Sequence, residues 1–569
     1  MSRFVPAVLS TLFVVLCLVP VNSSAQVNVL TWHNDAQHTG QNLQETILTP
    51  SNVNAAKFGK LFSYPVDGMV YAQPLYVQGV TINGTAHNVV YVATENDTVY
   101  AFDADSATLN PNPLWKTSYS NPPNVVAMPC TENDPYCNVY PTIGITGTPV
   151  INLANQSIYF VTRTKETGPK GGVLYAERLH ALNIATGAEQ PGSPKLICSA
   201  GKGKGCNLGP YTLASQQFVP QHQMQRPALT LTPYPGTAQG VVYAAFGQDR
   251  GWLIAFDAAT LQMLAVFCTA PNVTLSGKGL SGFWGSGGAV AADTNGNLYA
   301  ATADGVFDVD QGGADYGDTV IKLGLNFNSS TSQYSFSVLD YFSPSDQSCR
   351  YDNDDDLGSG SPMLLPPQLG ASTSLMIMAG KGYPCDGVIS PVYLIDPNNM
   401  GGASGTTLQT VDGPQGGYWS GGAYWQSATT TYIYYSGLNS EDEAPAGDNL
   451  REFTMAGGVF SPGTAVAQSL NRLTIGSTPS ISANGNTNGI LWAIARQDLL
   501  SIKPGSKPAV LYAFDATNVA HQLYSTAVNP TRDRPGAGVK FVVPTIANGK
   551  VYVATQTEID VYGLLSGAK

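Results

Sequence analysis

The sequence predicts an all-β protein, an eight-bladed β-propeller of four-stranded antiparallel blades, on three observations. One pattern keeps returning: VVYVATENDTVYAFDAD at Val89–Asp105, VVYAAFGQDRGWLIAFDAA at Val241–Ala259, AVLYAFDAT at Ala509–Thr517 and KVYVATQTEIDVYGL at Lys550–Leu564. Each copy is an apolar run, usually broken by a short polar stretch before a second run, as in paired strands. The composition is that of a turn-rich β protein, with 60 Gly, 38 Pro and 29 Tyr in 569 residues and only 12% charged. Finally, the chain is too long for one ordinary core, yet no linker or charge block divides it. Repeated units resolve that conflict, because each needs only its neighbours.

Eight small or Pro residues each open a short apolar strand: Pro74, Pro149, Pro227, Ala289, Pro362, Ala423, Pro479 and Pro544. Dividing the 569 residues, less the first 25, by eight gives 68 per unit. That suits a four-stranded blade with generous loops. In each unit the first strand follows the Pro or Ala. The second is of the VVYVAT type, the third of the VYAFDA type, and the fourth resembles LWKTSY. Alternation along these strands supplies side chains to both faces of a blade, so single blades must stack. An Asp or Asn recurs after the third strand, at Asp103, Asn183, Asp257, Asp396 and Asp515. A short polar side chain there bonds its own backbone and favours a turn. The last unit lacks a fourth strand, whereas GKLFSYPV at Gly59–Val66 is an orphan ahead of the first unit. Pairing the two predicts a closed ring with no free sheet edge at the seam.

The net charge of -12 and pI near 4.9 argue against nucleic-acid partners. Arg3, the apolar run from Phe4 to Val21, and small residues at Ser23 and Ala25 predict a signal peptide over residues 1–25. The expected protein is then a single propeller domain over 26–569, secreted or periplasmic, with no membrane span; a retained membrane anchor is the alternative. Cys17 follows bulky Leu16, which argues against a lipid-attachment box. Export makes disulfides plausible. Cys130–Cys137 and Cys198–Cys206 each close a short polar loop, and Cys349–Cys385 joins two long loops. Cys268, in LAVFCTAP, is expected to be a buried free thiol. No CxxCH motif offers covalent haem attachment.

The stretch WHNDAQHTGQNLQETILTPSNVNAAKFGKLFSYPVDGMVYAQPLYV, Trp32 to Val77, resembles the opening of quinoprotein alcohol dehydrogenases. The AFDAD and ALNIATG segments are similar to the pyrroloquinoline quinone (PQQ) propeller repeats of those enzymes. Exported bacterial propellers of this repeat with no agreed function match more closely still. The resemblance implies a quinone and a Ca2+ ion over the propeller axis, held by loops between second and third strands. It places Glu166 of VTRTKETG as a metal ligand. Asp304 of YAATADG stands where the family usually has an Asn ligand, and remains a hard oxygen donor suited to Ca2+. Asp318 of YGDTVIKL falls at the catalytic, metal-facing Asp, and Lys381 of MAGKGYP at the residue that contacts the quinone oxygens. Trp284 of GFWGSGG falls near the Trp beneath the cofactor, a few residues off register. In such a set Ca2+ is a Lewis acid, the carboxylate takes the alcohol proton, and the cation stabilises charge on the quinone.

Two departures weigh against activity. No two cysteines are adjacent, so the vicinal disulfide of many family members is missing, and no haem site provides an electron exit. The expected ligands are therefore a small alcohol or sugar if the protein is an enzyme. If it is a non-catalytic propeller, its loop face binds protein or carbohydrate. The acidic run YDNDDDLGSGS fails as an EF-hand, because Leu357 and Met363 stand where Gly and Glu are needed. A solvated loop is the first reading and an irregular Ca2+ site the second. His33 and His38 lie in a polar loop without zinc-enzyme spacing, so a packing or hydrogen-bonding role is expected. No GxSxG elbow or Walker loop is present.

Overall fold

The computed structural model describes residues 27–106, 108–109, 111–133, 137–209, 216–234, 237–273, 280–288, 290–368, 374–382, 391–438, 447–473, 477–496 and 507–567. The expected signal peptide, Cys17 and Ala289 lie outside them. The described strands form eight sheets. In chain order these cover residues 75–118, 125–200, 230–268, 291–342, 363–411, 423–473, 480–525 and 545–564. Each has a core of consecutive antiparallel strands, as expected for propeller blades. Six of the eight expected strand openings immediately precede or begin a first strand; Ala289 lies outside the described residues, and the third sheet starts a little after Pro227, at Thr230.

The inner strands are buried on both faces. Val241–Phe246, Leu298–Ala301 and Val392–Ile395 show no exposed position. Such strands read as continuous apolar runs because a sheet covers each side. The outer strand Trp115–Ser118 alternates half-buried and exposed positions. Apolar clusters stack each sheet on the next. Tyr159 and Leu179 meet Val242 and Ile254, Tyr243 and Leu253 meet Leu298 and Ile321, and Ile377 and Leu394 meet Ile433 and Phe453. One cluster runs from Trp492 and Leu511 through Val551 and Val561 to Val90 and Phe160, so the eighth sheet also packs on the first.

Phe58–Pro65 pairs antiparallel with Glu558–Leu564 at the edge of the eighth sheet, one residue earlier than the sequence suggests. Buried Asp560 anchors that seam. It accepts from Ser63 Oγ at 2.8 Å and Gly536 N at 2.8 Å, and pairs with Lys60 Nζ at 2.5 Å. All five Asp or Asn residues after the third strands cap turns through Oδ1, accepting from N–H groups two residues on.

The sequence did not reveal the role of residues 28–42. Asn28–Val29 adds a strand to the first sheet, and Gln41–Asn42 pairs in parallel with Ile481–Ser482 of the seventh. Between them, carbonyls accept N–H groups from other first strands. Leu30 accepts from Ile151, Ala36 from Ala292, Gln37 from Leu364 and Thr39 from Tyr424, at 2.8 to 3.0 Å. Asn42 Nδ2 donates to Ile546 of the eighth sheet. Trp32 packs on Ala228, just before the third sheet, and on Val543. One segment thus touches the first strand, or the residues just before it, of all eight sheets. Buried His33 reaches the carbonyls of His38 and Pro479, and His38 that of Pro362, consistent with the hydrogen-bonding role expected of both. Gly40, at φ 70°, lies so close to the His33 ring that a Cβ would sit 2.4 Å from Nε2. Among the described residues no helix is long and apolar enough to cross a membrane.

Candidate functional site

Strand direction decides which loops meet. In an antiparallel four-stranded sheet, the second-to-third connection and the segment entering the first strand lie at the same end. Asp304 and Asp318 belong to the connection between Leu298–Ala301 and Val320–Asn328, and Lys381 to that between Leu375–Met378 and Val392–Ile395. Asp354 and Asp356 enter the fifth sheet, Trp284 the fourth, Arg226 the third and Phe541 the eighth.

At that end, carboxylate oxygens of Asp304, Asp354 and Asp356 lie within 4.8 Å of one another. Backbone bonds fix the group. Asp356 Oδ1 accepts the Asp304 N–H at 3.0 Å, and its carbonyl accepts the Lys381 N–H at 3.1 Å. Lys381 Nζ stands 2.7 Å from Asp356 Oδ2 and 3.5 Å from Asp354 Oδ2, and lies over the Trp419 ring at 5.0 Å. Asp318 is fully buried beside the group at φ 46°; its Oδ1 accepts the Leu357 N–H at 3.0 Å, and its Oδ2 has no partner among the described residues. Burial, and then the Asp356 charge, push Asp304 up to about 8. Burial also holds Asp318 well above the usual carboxylate range. Asp356 goes the other way: burial opposes its ionisation, but the Lys381 ammonium more than offsets this and keeps it low.

Asp304, Asp318 and Lys381, singled out from sequence, are thus brought together. Glu166 does not join them. The second and third strands of its sheet run on as a hairpin, Ser157–Thr167 with Val173–Asn183. There Glu166 is engaged by Arg178 across the hairpin and by Thr164 Oγ1 at 2.7 Å. Burial alone would raise Glu166, but the Arg178 hydrogen bond holds it below the usual range. Further down the hairpin, Arg163 faces Glu177 across the strands, with Nε 3.5 Å from Oε1, both buried. Trp284 is half-buried, and the Arg226 guanidinium lies over its ring at 3.9 Å. Arg226 escaped the sequence reading. Asp354 and Asp356 belong to the acidic run YDNDDDLGSGS, read first as a solvated loop and second as an irregular Ca2+ site.

The disulfides Cys130–Cys137 and Cys198–Cys206 are formed, and Cys268 is a free thiol, its pKa raised to about 12 chiefly by burial. Cys349 is disulfide-bonded; the expected pairing with Cys385 falls on a residue outside the described ones.

Three converging carboxylates are a hard-oxygen donor set that fits Ca2+, and an acid that keeps its proton without a cation is one that a cation would ionise. A quinone fits less simply. The buried Arg226 cation suits an anionic group, but it covers part of the Trp284 surface on which a flat ring would stack.

No known family model matches the chain, and no curated protein matches its sequence. Solved structures do match. The quinohemoprotein alcohol dehydrogenase of Comamonas testosteroni superposes with TM-score 0.50 at 14% identity, over 94% of this chain and 80% of that one. A quinohemoprotein alcohol dehydrogenase of Pseudomonas putida HK5 gives 0.52 at 13%, over 95% and 81%. A europium-containing methanol dehydrogenase gives 0.54 at 13%, over 94% and 98%. The fold of this chain is similar to that of these alcohol and methanol dehydrogenases.

Proposed function

We propose that this is an exported, Ca2+-dependent quinoprotein that oxidises a small alcohol or sugar, working in the secreted or periplasmic space. We read its eight sheets as one closed ring, sealed where Phe58–Pro65 completes the eighth. The meeting of Asp304, Asp354 and Asp356 beside Lys381 carries the proposal. The fold neighbours named as alcohol and methanol dehydrogenases, one with a bound lanthanide, support it. When bound, PQQ supplies the two-electron acceptor and Ca2+ the Lewis acid. Asp304, Asp354 and Asp356 would hold the ion, and Lys381 would place a positive charge beside it. Asp318 Oδ2 takes the alcohol proton, with the other oxygen of the carboxylate fixed by the Leu357 N–H. A cation held beside Asp356 would offset the charge that, after burial, most raises the proton affinity of Asp318, and so would leave Asp318 a readier base. Glu166, paired with Arg178, is left outside this ligand set.

The test is titration of purified protein with Ca2+ and PQQ, followed by absorbance and by dye-linked oxidation of alcohols and sugars. Saturable binding that is lost in Asp304→Asn and Asp356→Asn, with dye reduction lost in Asp318→Asn, is expected. A second reading is a non-catalytic propeller that binds protein or carbohydrate through the same face; the Arg226 side chain over Trp284 favours it. Under that reading Ca2+ still binds, but no quinone saturates and no dye is reduced.

A further inference from the structure

Arg226 has no part in the chemistry above, yet it is a buried charge whose terminal nitrogens have no hydrogen-bond partner among the described residues. Its side chain is 1% exposed. Its guanidinium lies 3.9 Å from the Trp284 ring centre and 4.7 Å from that of Phe541. Among the described residues nothing accepts a hydrogen bond from Nη1 or Nη2. Burial lowers its pKa only to about 10, so it stays charged at neutral pH. The acids that reach it, Glu95 and Asp356, act through space. A buried cation with unbonded donors is among the costliest groups a fold can keep, and it calls for an anionic partner. The aromatic rings cover its flat surface. What remains is the edge with two parallel N–H donors, the fork that matches a carboxylate.

Neighbouring segments add neutral polar groups in the same condition. Gln223 is fully buried with neither amide atom bonded, and Gln225 Oε1 is unbonded, both just ahead of Arg226. Ser286, two residues beyond Trp284, is buried with an unbonded Oγ. Groups of this kind bond hydroxyls. We propose that this end of the sheets binds a small hydroxy acid, its carboxylate held by Arg226 Nη1 and Nη2 and its hydroxyls by the neutral polar side chains alongside. The proposal stands without the oxidoreductase reading. If both hold, the substrate is an alcohol that carries a carboxylate.

Calorimetric titration of the full chain, without Ca2+ or quinone, tests it with gluconate against glucose, two ligands that differ in the carboxylate. Gluconate should bind saturably and glucose at least tenfold more weakly. Arg226→Met should weaken gluconate at least tenfold, and Arg226→Lys by less. No saturable gluconate binding, equal binding of glucose, or an unchanged Arg226→Met affinity would overturn the proposal. Because PQQ also carries carboxylates, it is titrated separately; an Arg226-dependent site that takes PQQ but not gluconate assigns the arginine to the cofactor and also overturns the proposal. If Arg226→Met does not fold, the gluconate preference of the wild type and its reduction in Arg226→Lys decide. Failure here leaves the Ca2+ and dye-reduction results untouched, so the two readings fail separately.

Discussion

Asp304 concentrates the chemistry of the site, because two opposing influences meet on one carboxyl. Burial and Asp356 push its pKa up to about 8, whereas a bound cation would pull it down. Below pH 8 the proton has to leave before the ion can bind. Ca2+ affinity should therefore rise with pH, roughly tenfold per unit between about pH 6 and 8. Calorimetry in buffers of different ionisation heats should detect about one proton released per ion at pH 7. A flat affinity profile would show that Asp304 is not a ligand. At this scale the resemblance to the quinoprotein family pointed to Glu166, Asp304, Asp318 and Lys381, of which the last three lie at one end of the sheets. Glu166 lies elsewhere because its strands run on past the point where the resemblance places a loop. Only the hydrogen-bonded register with Val173–Asn183 shows that the strands continue and hand the carboxylate to Arg178.

At the scale of elements, tyrosines staple one sheet to the next. Tyr91 Oη donates to the carbonyl of Ile184, Tyr159 Oη to that of Ala258 and Tyr434 Oη to that of Ala516. Each acceptor follows the capped Asp or Asn of the neighbouring turn, so the recurring Tyr and the recurring Asp or Asn are two halves of one contact. Tyr159→Phe should cost about 1–2 kcal/mol in urea unfolding, since it leaves a buried carbonyl short of a donor; no loss would mean that water replaces the hydroxyl. The seam makes a larger demand. Asp560→Ala removes the partner of Ser63, Gly536 and Lys60 at once and should cost about 3 kcal/mol, read as a lower urea midpoint. These elements were readable because their causes are local: a turn residue, an apolar run, a Pro before a strand.

For the whole molecule, the decisive element is the segment from Asn28 to Asn42. It links the first strands of seven sheets through backbone or side-chain hydrogen bonds, and the third through Trp32. A chain begun at residue 46 keeps every strand of the eight sheets' own meanders but loses that segment. It should melt at least 10 °C lower than one begun at residue 27, or fail to fold; an unchanged melting temperature would show the segment to be dispensable. The sequence by itself determined the all-β class, six of the eight strand openings, the capped turns, the pairing of residues 58–65 with the last strand, and two of the disulfides. Each depends on neighbours along the chain or on a repeat that announces itself. Only the tertiary structure decided that Asp354 and Asp356 meet Asp304, that Arg226 stacks on Trp284, and that residues 28–42 bond to the first strands of most of the sheets. Those contacts join residues far apart in sequence, and burial, which converts a solvated acid or arginine into a site, is a property of the assembled sheets.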